Sequence, residues 1–411
     1  MGAGVVYHDI HLIVNPVSGR SRIGLRLRQI ARRARRNGAR LTIHETLFAG
    51  HATRMARELG AGGGLIVAVG GDGTVREVVA GLVGQPSPLA VIPAGTENLF
   101  AREFGYRNDV EAFWSLVEGG ERFPIDVGRC NERLFLSIIG VGFDGLAVEH
   151  LHRVRRGHIS HLHYFWPLWR SFWEYTFPAI RVHVDGADFF AGPGLAFVGN
   201  LPRYAIGLRV CQMARCDDGL LDVCVYPCSW RGKLLVHSWR TLLSRHLSAG
   251  DALYRQCRHV RVESDEPVPV QCDGDLAGPL PVEASLVDAP VTLLLSPRMV
   301  PLDGHGGVAR PRGRTIRPVA SAPGASVNRS TLFLTRRHVA TIRLIARAAR
   351  AASQGFLGCR DGQIPRHRSA ALLQRSAARR AHRRRLPAGR YLRPLPAGGR
   401  TPGALHLRQR R

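Results

Sequence analysis

From Leu65 to Leu82 the chain reads LIVAVGGDGTVREVVAGL, and few folds accept that run. Leu65–Val69 is apolar at every position, as a strand covered on both faces of a parallel sheet should be. Val75, Val78, Val79, Leu82 and Val83 then recur at i, i+3, i+4, i+7 and i+8, the spacing of one buried helical face. Gly70, Gly71, Asp72, Gly73 and Thr74 join the two. A glycine turn that opens a helix offers free N–H groups and a positive dipole end to an anion. Two readings stay open. Thr74 and Glu77 fit a capping box, with Asp72 a first-turn acid and the glycines needed only for a tight turn. Alternatively the turn holds phosphate, and Asp72 then sets a negative charge among negative charges.

Two common phosphate loops are excluded. No G-x-x-x-x-G-K-[ST] run occurs, and Lys233 is the only lysine in the chain. Arg76 stands where the dinucleotide fingerprint needs its third glycine.

The rest of the first third repeats the strand–helix alternation. IHLIVNP (10–16) and RLTIHET (40–46) read as strands, and residues 23–36 and 51–59 read as amphipathic helices. LAVIPAGT (89–96) is another apolar strand running into a helix. This predicts an α/β domain over residues 1–127, a parallel sheet with helices on both faces. From 128 to 302 the pattern becomes β-rich, with strands at 133–145, 179–186, 194–201, 220–227, 259–264, 268–275 and 290–297. Helices are predicted only at 161–174 and about 231–246. A sandwich-like second domain follows.

Net charge is +27, yet it is uneven. Residues 301–411 hold 25 arginines and two acids, which leaves 33 basic and 29 acidic groups in the body. The body is nearly neutral, and the tail has no interleaved stacking aromatics, so no specific nucleic-acid partner is expected. The 303–411 tail is Arg-rich and of low complexity. It reads either as disordered or as a frameshifted reading of GC-rich DNA. Within it, ATIRLIARAARAA (340–352) forms a basic amphipathic pattern suited to anionic lipid. The eight cysteines contain no C-x-x-C pair and read as reduced thiols. MGAGVVYHDIHLIVNP runs straight into a strand without a signal-peptide pattern, and a cytoplasmic location is expected.

Five segments in order make the chain similar to a known family: NPVSGR (15–20), GGDGTVREVVAGL (70–82), PAGTENLFAR (93–102), CDDGLLDV (216–223) and QCDGDLAG (271–278). They resemble the motifs of the diacylglycerol kinase catalytic-domain family, which includes bacterial lipid kinases, sphingosine kinases and ceramide kinases. The resemblance covers roughly residues 8–300 and leaves the tail aside. It implies a nucleotide-binding α/β domain, a β-sandwich domain whose last strands return toward the first, and transfer of the γ-phosphate of ATP to a lipid hydroxyl in the cleft between them. It puts nucleotide contacts on Asn15, Thr46, Gly70, Gly71, Asp72, Gly73, Thr74, Val75, Arg76, Glu77 and Thr96. It implies Mg2+ beside the phosphates, which would explain Asp72 as a cation's neighbour. Asp72 also suits a proton acceptor, and the two roles stay open. Asp275 occupies the position of the family's catalytic acid, usually Glu, and is one methylene shorter; a plain Asp-Gly hairpin turn is its bland alternative. The resemblance further implies a structural Mg2+ held by Arg215, Asp218 and Leu220, with Asp218 as the side-chain ligand. Arg76 replaces the family's usual Asn, and Asn98-Leu99 its usual Asn-Asp, which puts the acceptor in doubt more than the chemistry. Arg76 either adds charge near phosphate or lies exposed.

The expected partner is a lipid substrate at a membrane surface, met transiently, and a homodimer is also allowed. Residues 152–177, rich in Arg, His and aromatics, place Trp166, Trp169 and Trp173 on one helical face. These rings either pack against the second domain or touch the membrane interface. The alternatives are a kinase acting on a soluble acceptor, as NAD kinases do, and an inactive member that only binds nucleotide or lipid. CDDGLLDV and NPVSGR argue against the first, and the retained Asp72, Asp218 and Asp275 against the second.

Overall fold

A computed structural model describes residues 7–18, 23–154, 165–297 and 299. The tail reading at 303–411, the helix at 340–352 and part of 152–177 lie outside the described residues. β1 (Asp9–Val14), α1 (Ile23–Arg36), β2 (Arg40–Glu45) and α2 (His51–Gly60) come first. They are followed by β3 (Leu65–Gly70), α3 (Asp72–Leu82), β4 (Leu89–Pro93), α4 (Leu99–Glu103), α5 (Val110–Gly119) and β5 (Glu121–Ile125). The strands β2, β1, β3 and β4 lie side by side in that order, all parallel. Ile66, Val67 and Val69 of β3 are buried, as a strand covered on both faces must be. Each such side chain stabilises the fold by about 1.5–3 kcal/mol at most.

The helices pack on this sheet through small residues. A Cβ on Gly81 of α3 would lie 2.3 Å from the Thr53 carbonyl oxygen, so α2 and α3 meet backbone to backbone. The Thr53 hydroxyl donates to the Glu77 carbonyl at 2.9 Å and locks that approach.

The second part begins with β6 (Gly128–Cys130), β7 (Arg133–Phe135), β8 (Ile138–Val141), α6 (Phe143–Val154) and α7 (Phe165–Glu174). Next come β9 (Ala179–Val184), β10 (Ala187–Gly199), the short β11 (Arg203–Tyr204) and β12 (Leu208–Arg209), β13 (Leu221–Pro227) and α8 (Arg231–Leu242). β14 (Leu253–Cys257), β15 (His259–Glu263), β16 (Pro269–Cys272), β17 (Asp275–Pro279), β18 (Val282–Leu286) and β19 (Val291–Leu295) complete it. The long β10 belongs to two layers. Its first half pairs with β9, and its second half runs between β8 and β13. The switch follows a bulge between Asp188 and Phe190. The result is an antiparallel sandwich filled by Ile139, Val182, Val198, Val223, Val260 and their neighbours. The last strand leaves it: β19 pairs parallel with β4 and antiparallel with β5 in the first sheet.

Two local readings need correction. Residues 133–145 are not one strand. The Asp273 carboxylate accepts from the N–H groups of Leu136, Ser137 and Ile138, which interrupts pairing between β7 and β8. Gly142, at φ 95°, then turns the chain into α6. The helix read over 231–246 ends at Leu242, and Ser244 takes a left-handed φ of 55° just beyond it. On the open question of the aromatics, α7 turns Pro167, Ser171 and Tyr175 inward, while Trp166, Trp169 and Trp173 face outward. All seven cysteines among the described residues are buried free thiols. Among the described residues, no helix is long and apolar enough to cross a membrane.

Candidate active site

The order β2-β1-β3-β4 reverses direction between β1 and β3, and the loops leaving those strands open at one edge of the sheet. Open α/β sheets bind ligands at such an edge. Asn15, directly after β1, donates its N–H to the Val69 carbonyl at 3.0 Å. Its side-chain amide donates to the Thr74 hydroxyl at 3.1 Å, and its Oδ1 accepts from the Val17 N–H at 3.0 Å. One asparagine thereby ties the first loop to the first turn of α3.

The loops after β3 and β4 touch through glycines. A Cβ on Gly95 would sit 2.6 Å from the Gly71 Cα, so neither loop tolerates a side chain there. The Ala94 N–H donates to the Gly70 carbonyl at 2.8 Å. Asn98, left-handed at φ 50°, closes the second loop by bonding both the N–H and the carbonyl of Gly95.

The capping-box reading is overturned. Gly71 is the N-cap of α3, so Thr74 stands inside the first turn and gives its hydroxyl to Asn15. Asp72 reaches sideways, and its Oδ1 accepts from the Phe100 N–H at 3.0 Å. It thus caps the neighbouring helix α4, whose first N–H groups lack intrahelical partners. The anion between the glycine loops is held in place by a helix start.

Arg76 follows Asp72 by one turn and shares its face of α3. It is neither near-exposed nor aimed into open solvent. Its guanidinium bonds the Asp275 carboxylate and the Cys272 carbonyl, so it joins α3 to the β16–β17 hairpin of the sandwich. Burial opposes its charge, but the hydrogen bond and charge of Asp275 outweigh that and hold its pKa above the ordinary value. His152, at the end of α6, places Nε2 3.8 Å from the other Asp275 oxygen. The hairpin turn is made by Asp273 and Gly274, both at positive φ, so the plain-turn reading applies to them while Asp275 begins β17. Beside this junction lies a cleft of about 420 Å³, lined among others by Thr53, Arg57, Arg76, Glu77 and Cys272.

Other sequence candidates take varied places. The Thr46 N–H donates to the Val14 carbonyl at 2.9 Å, next to Asn15. Thr96 is exposed at the second glycine loop, and Gly73 is exposed in the first. Val75 is 2 % exposed and points into the core, so its side chain cannot reach a nucleotide. Arg215, Asp218 and Leu220 form a separate acidic loop. Asp218 accepts from the Leu220 N–H and the Gln256 amide, and Asp126 accepts from the Gly219 N–H. Burial, then the charges of Asp218 and Asp126, push the Asp217 carboxyl up to about 6 against the pull of Arg215. Burial likewise raises Asp218 and Asp126. A cation would relieve this loop. Among the described residues, however, no three His, Cys, Asp or Glu side chains converge to hold one. An ion here would rest on backbone carbonyls and water beside its carboxylate.

Sequence reasoning missed Asp126, His152 and a buried trio under the hairpin. Asp144 accepts the Tyr204 hydroxyl and packs on Gly140 beside Gln271. Nothing in FPIDVG or VGFDG marks these residues as polar partners of distant loops.

Comparison with known proteins agrees with this architecture. Residues 9–130 match the family described as diacylglycerol kinase catalytic domain, and residues 137–295 match the YegS C-terminal NAD kinase beta sandwich-like domain. The diacylglycerol kinase of Mycobacterium tuberculosis (strain ATCC 25618 / H37Rv) is 32% identical over 247 residues, 58% of this chain and 79% of that one. The diacylglycerol kinase of Bacillus subtilis (strain 168) is 28% identical over 278 residues, 66% of this chain and 91% of that one. A crystal structure of a diacylglycerol kinase from Bacillus anthracis shares the fold, with a TM-score of 0.55 at 24% identity, covering 72% of this chain and 100% of that one. With two family domains in sequence and the glycine loops, Asp72 and the Asp275 hairpin gathered on α3, this chain belongs to the diacylglycerol kinase catalytic-domain family of lipid kinases.

Proposed function

We propose that the protein transfers the γ-phosphate of ATP to the hydroxyl of a membrane lipid, of diacylglycerol or sphingoid type. The observation that carries this reading is the Arg76–Asp275 pair. It brings a carboxylate of the sandwich onto the helix whose N-terminus faces the glycine loops. Phosphoryl transfer asks for positioned phosphates, neutralised charge and an oriented nucleophile. The N–H groups around Gly71 and Gly73 supply the first, with Asn15 and Thr74 bracing the loop. Mg2+ arriving with ATP would supply charge neutralisation, and one carboxylate plus phosphate oxygens is a donor set it accepts. Asp72 fits that role because α4 holds it on the nucleotide side. Asp275 fits the proton acceptor because it stands on the sandwich side, where the acceptor hydroxyl would enter. In this structure the Arg76 guanidinium bonds the Asp275 carboxylate. An incoming phosphate competes for Arg76 and leaves Asp275 ready to take the hydroxyl proton.

The test is transfer of labelled phosphate from ATP to diacylglycerol, sphingosine, ceramide, an undecaprenol-type lipid and NAD in separate reactions. One lipid should be labelled. Asp275→Ala should lower the rate about 10²–10⁴-fold, the usual contribution of a general base. Labelling of NAD alone would replace the lipid acceptor by a soluble one. ATP binding without labelling of any acceptor would reject the kinase reading.

A further inference from the structure

Five of the six tryptophans are exposed, on or beside two helices that touch, α7 and α8. Trp166, Trp169 and Trp173 on α7 are 63%, 40% and 54% exposed, and Trp230, just before α8, and Trp239 of α8 are 60% and 53% exposed. Leu235, 57% exposed, stands on α8 between the last two. The sixth, Trp114, is a core residue. The two helices are clamped together. Arg231, in the first turn of α8, donates to the Phe172 and Trp173 carbonyls at 3.2 and 2.6 Å and lies over the Trp173 ring. It thereby satisfies the last carbonyls of α7, which an isolated helix end leaves open. Trp169 and Trp173 meet edge to face, with ring centroids 5.7 Å apart. The start of α8 is thereby fixed against the aromatic end of α7.

We propose that this α7–α8 face docks on the surface of an anionic bilayer. Water is a poor partner for five indoles, and soluble monomers rarely leave such a patch uncovered. Trp prefers a boundary with one apolar and one wet side. Charge selects the partner. Across α7 and α8 stand Arg170, Arg231, Lys233 and Arg240; Arg170 pairs with Glu174 and Arg240 with Asp251, which leaves the positive charge of Arg231 and Lys233 in excess. With 10 and 12 residues the helices are too short to cross a bilayer, so they lie in its plane. The chain then connects this face to the candidate site. His150 of α6 bonds Ser171 at 2.9 Å and Glu174 at 3.0 Å, pinning α7 on α6. Two residues further, His152 of the same helix stands 3.8 Å from Asp275. The bilayer would lie one helix away from the carboxylate proposed to receive the lipid hydroxyl. The purpose of docking rests on the lipid-kinase reading, but its test does not.

Full-length protein is mixed at high salt with vesicles of phosphatidylcholine containing phosphatidylglycerol as the minority lipid, without acceptor or ATP. Salt screens the arginine-rich tail. That tail contains no tryptophan, so apart from buried Trp114 indole emission reports on the exposed tryptophans of α7 and α8 and on Trp230. Phosphatidylcholine with brominated acyl chains should quench most of the emission. The double variant Trp169→Gln/Trp239→Gln should bind these vesicles about tenfold more weakly. Its urea midpoint and its phosphorylation of a short-chain lipid in detergent should be unchanged. Three results would overturn the proposal: sedimentation with vesicles but no quenching, vesicle affinity unaffected by the double variant, or a dimer that the double variant dissolves while vesicles leave emission unchanged. Quenching without detergent-phase activity would reject the kinase reading and leave docking standing, and activity without quenching would do the reverse.

Discussion

Replacing Asp144 by Asn tests whether the floor of the acceptor hairpin carries a charge. Asp144 opens α6 and lies 9% exposed against β8 and β16. A helix N-terminus favours an anion, and the Tyr204 hydroxyl donates to it. Burial outweighs both and pushes its carboxyl from 3.8 to about 6. Since one pKa unit is worth about 1.4 kcal/mol, keeping Asp144 ionised near neutral pH costs the fold about 3 kcal/mol. The sign follows from linkage. The folded state binds the proton more tightly, so the favourable contribution is complete below about pH 4 and is lost as pH rises through about 6. Asn accepts the Tyr204 hydroxyl without a charge and escapes that loss. The assay is urea unfolding of both proteins, followed by near-ultraviolet circular dichroism, between about pH 4.5 and 7.5. Near pH 7.5 the variant should be the more stable, by about 1 M in urea midpoint for a chain of this size. Roughly half of that advantage should vanish by about pH 5. The comparison isolates Asp144 because the other raised carboxyls are common to both proteins. A midpoint difference that ignores pH, or a variant weaker at neutral pH, would refute the argument and mean that Tyr204 and Gln271 fully solvate the charge.

Three further outcomes are expected. Gly95→Ala drives a methyl to 2.6 Å from the Gly71 Cα, and overpacking of this kind costs about 1–3 kcal/mol; the glycine loops separate, and KM for ATP should rise about tenfold with a smaller change in kcat. Arg76→Ala should lower activity and Arg76→Lys should not restore it, because one ammonium cannot serve the Asp275 carboxylate and the Cys272 carbonyl together; equal activity of Arg76→Lys and wild type in steady-state kinetics would remove Arg76 from the site. Asp273→Ala strips acceptors from three N–H groups between β7 and β8 and should destabilise the protein by about 3 kcal/mol in thermal unfolding, while Asp273→Asn recovers only part of it.

What could be read from sequence divides along a physical line. The β3–turn–α3 unit was legible because apolar runs and helical spacing depend on neighbours in sequence. So was the α/β-to-sandwich change of pattern. The partners of Asp72, Arg76 and Asp275 were not legible, because each lies on another element. Asp72 satisfies an N–H 28 positions away, and Arg76 binds a carboxylate 199 positions away. A lone sequence assigns charges to positions but not to partners. The α7–α8 face shows the same limit. Trp166, Trp169 and Trp173 announced one helical stripe, and stripes are usually buried. Only the fold shows that α7 spends its opposite side on His150 and Tyr175, and that Trp230 and Trp239 arrive beside it from α8. Five indoles that face solvent together, one helix from the Asp275 hairpin, then become intelligible as one design. On that proposal, the helix that would meet the membrane is held by α6, whose His152 approaches Asp275. A substitution that loosens His150, such as His150→Ala, should therefore uncouple the two. Vesicle binding measured by quenching would survive it, while phosphorylation of lipid in vesicles would fall further than phosphorylation of a short-chain lipid in detergent. Equal losses in both assays would mean that docking and chemistry do not communicate through α6.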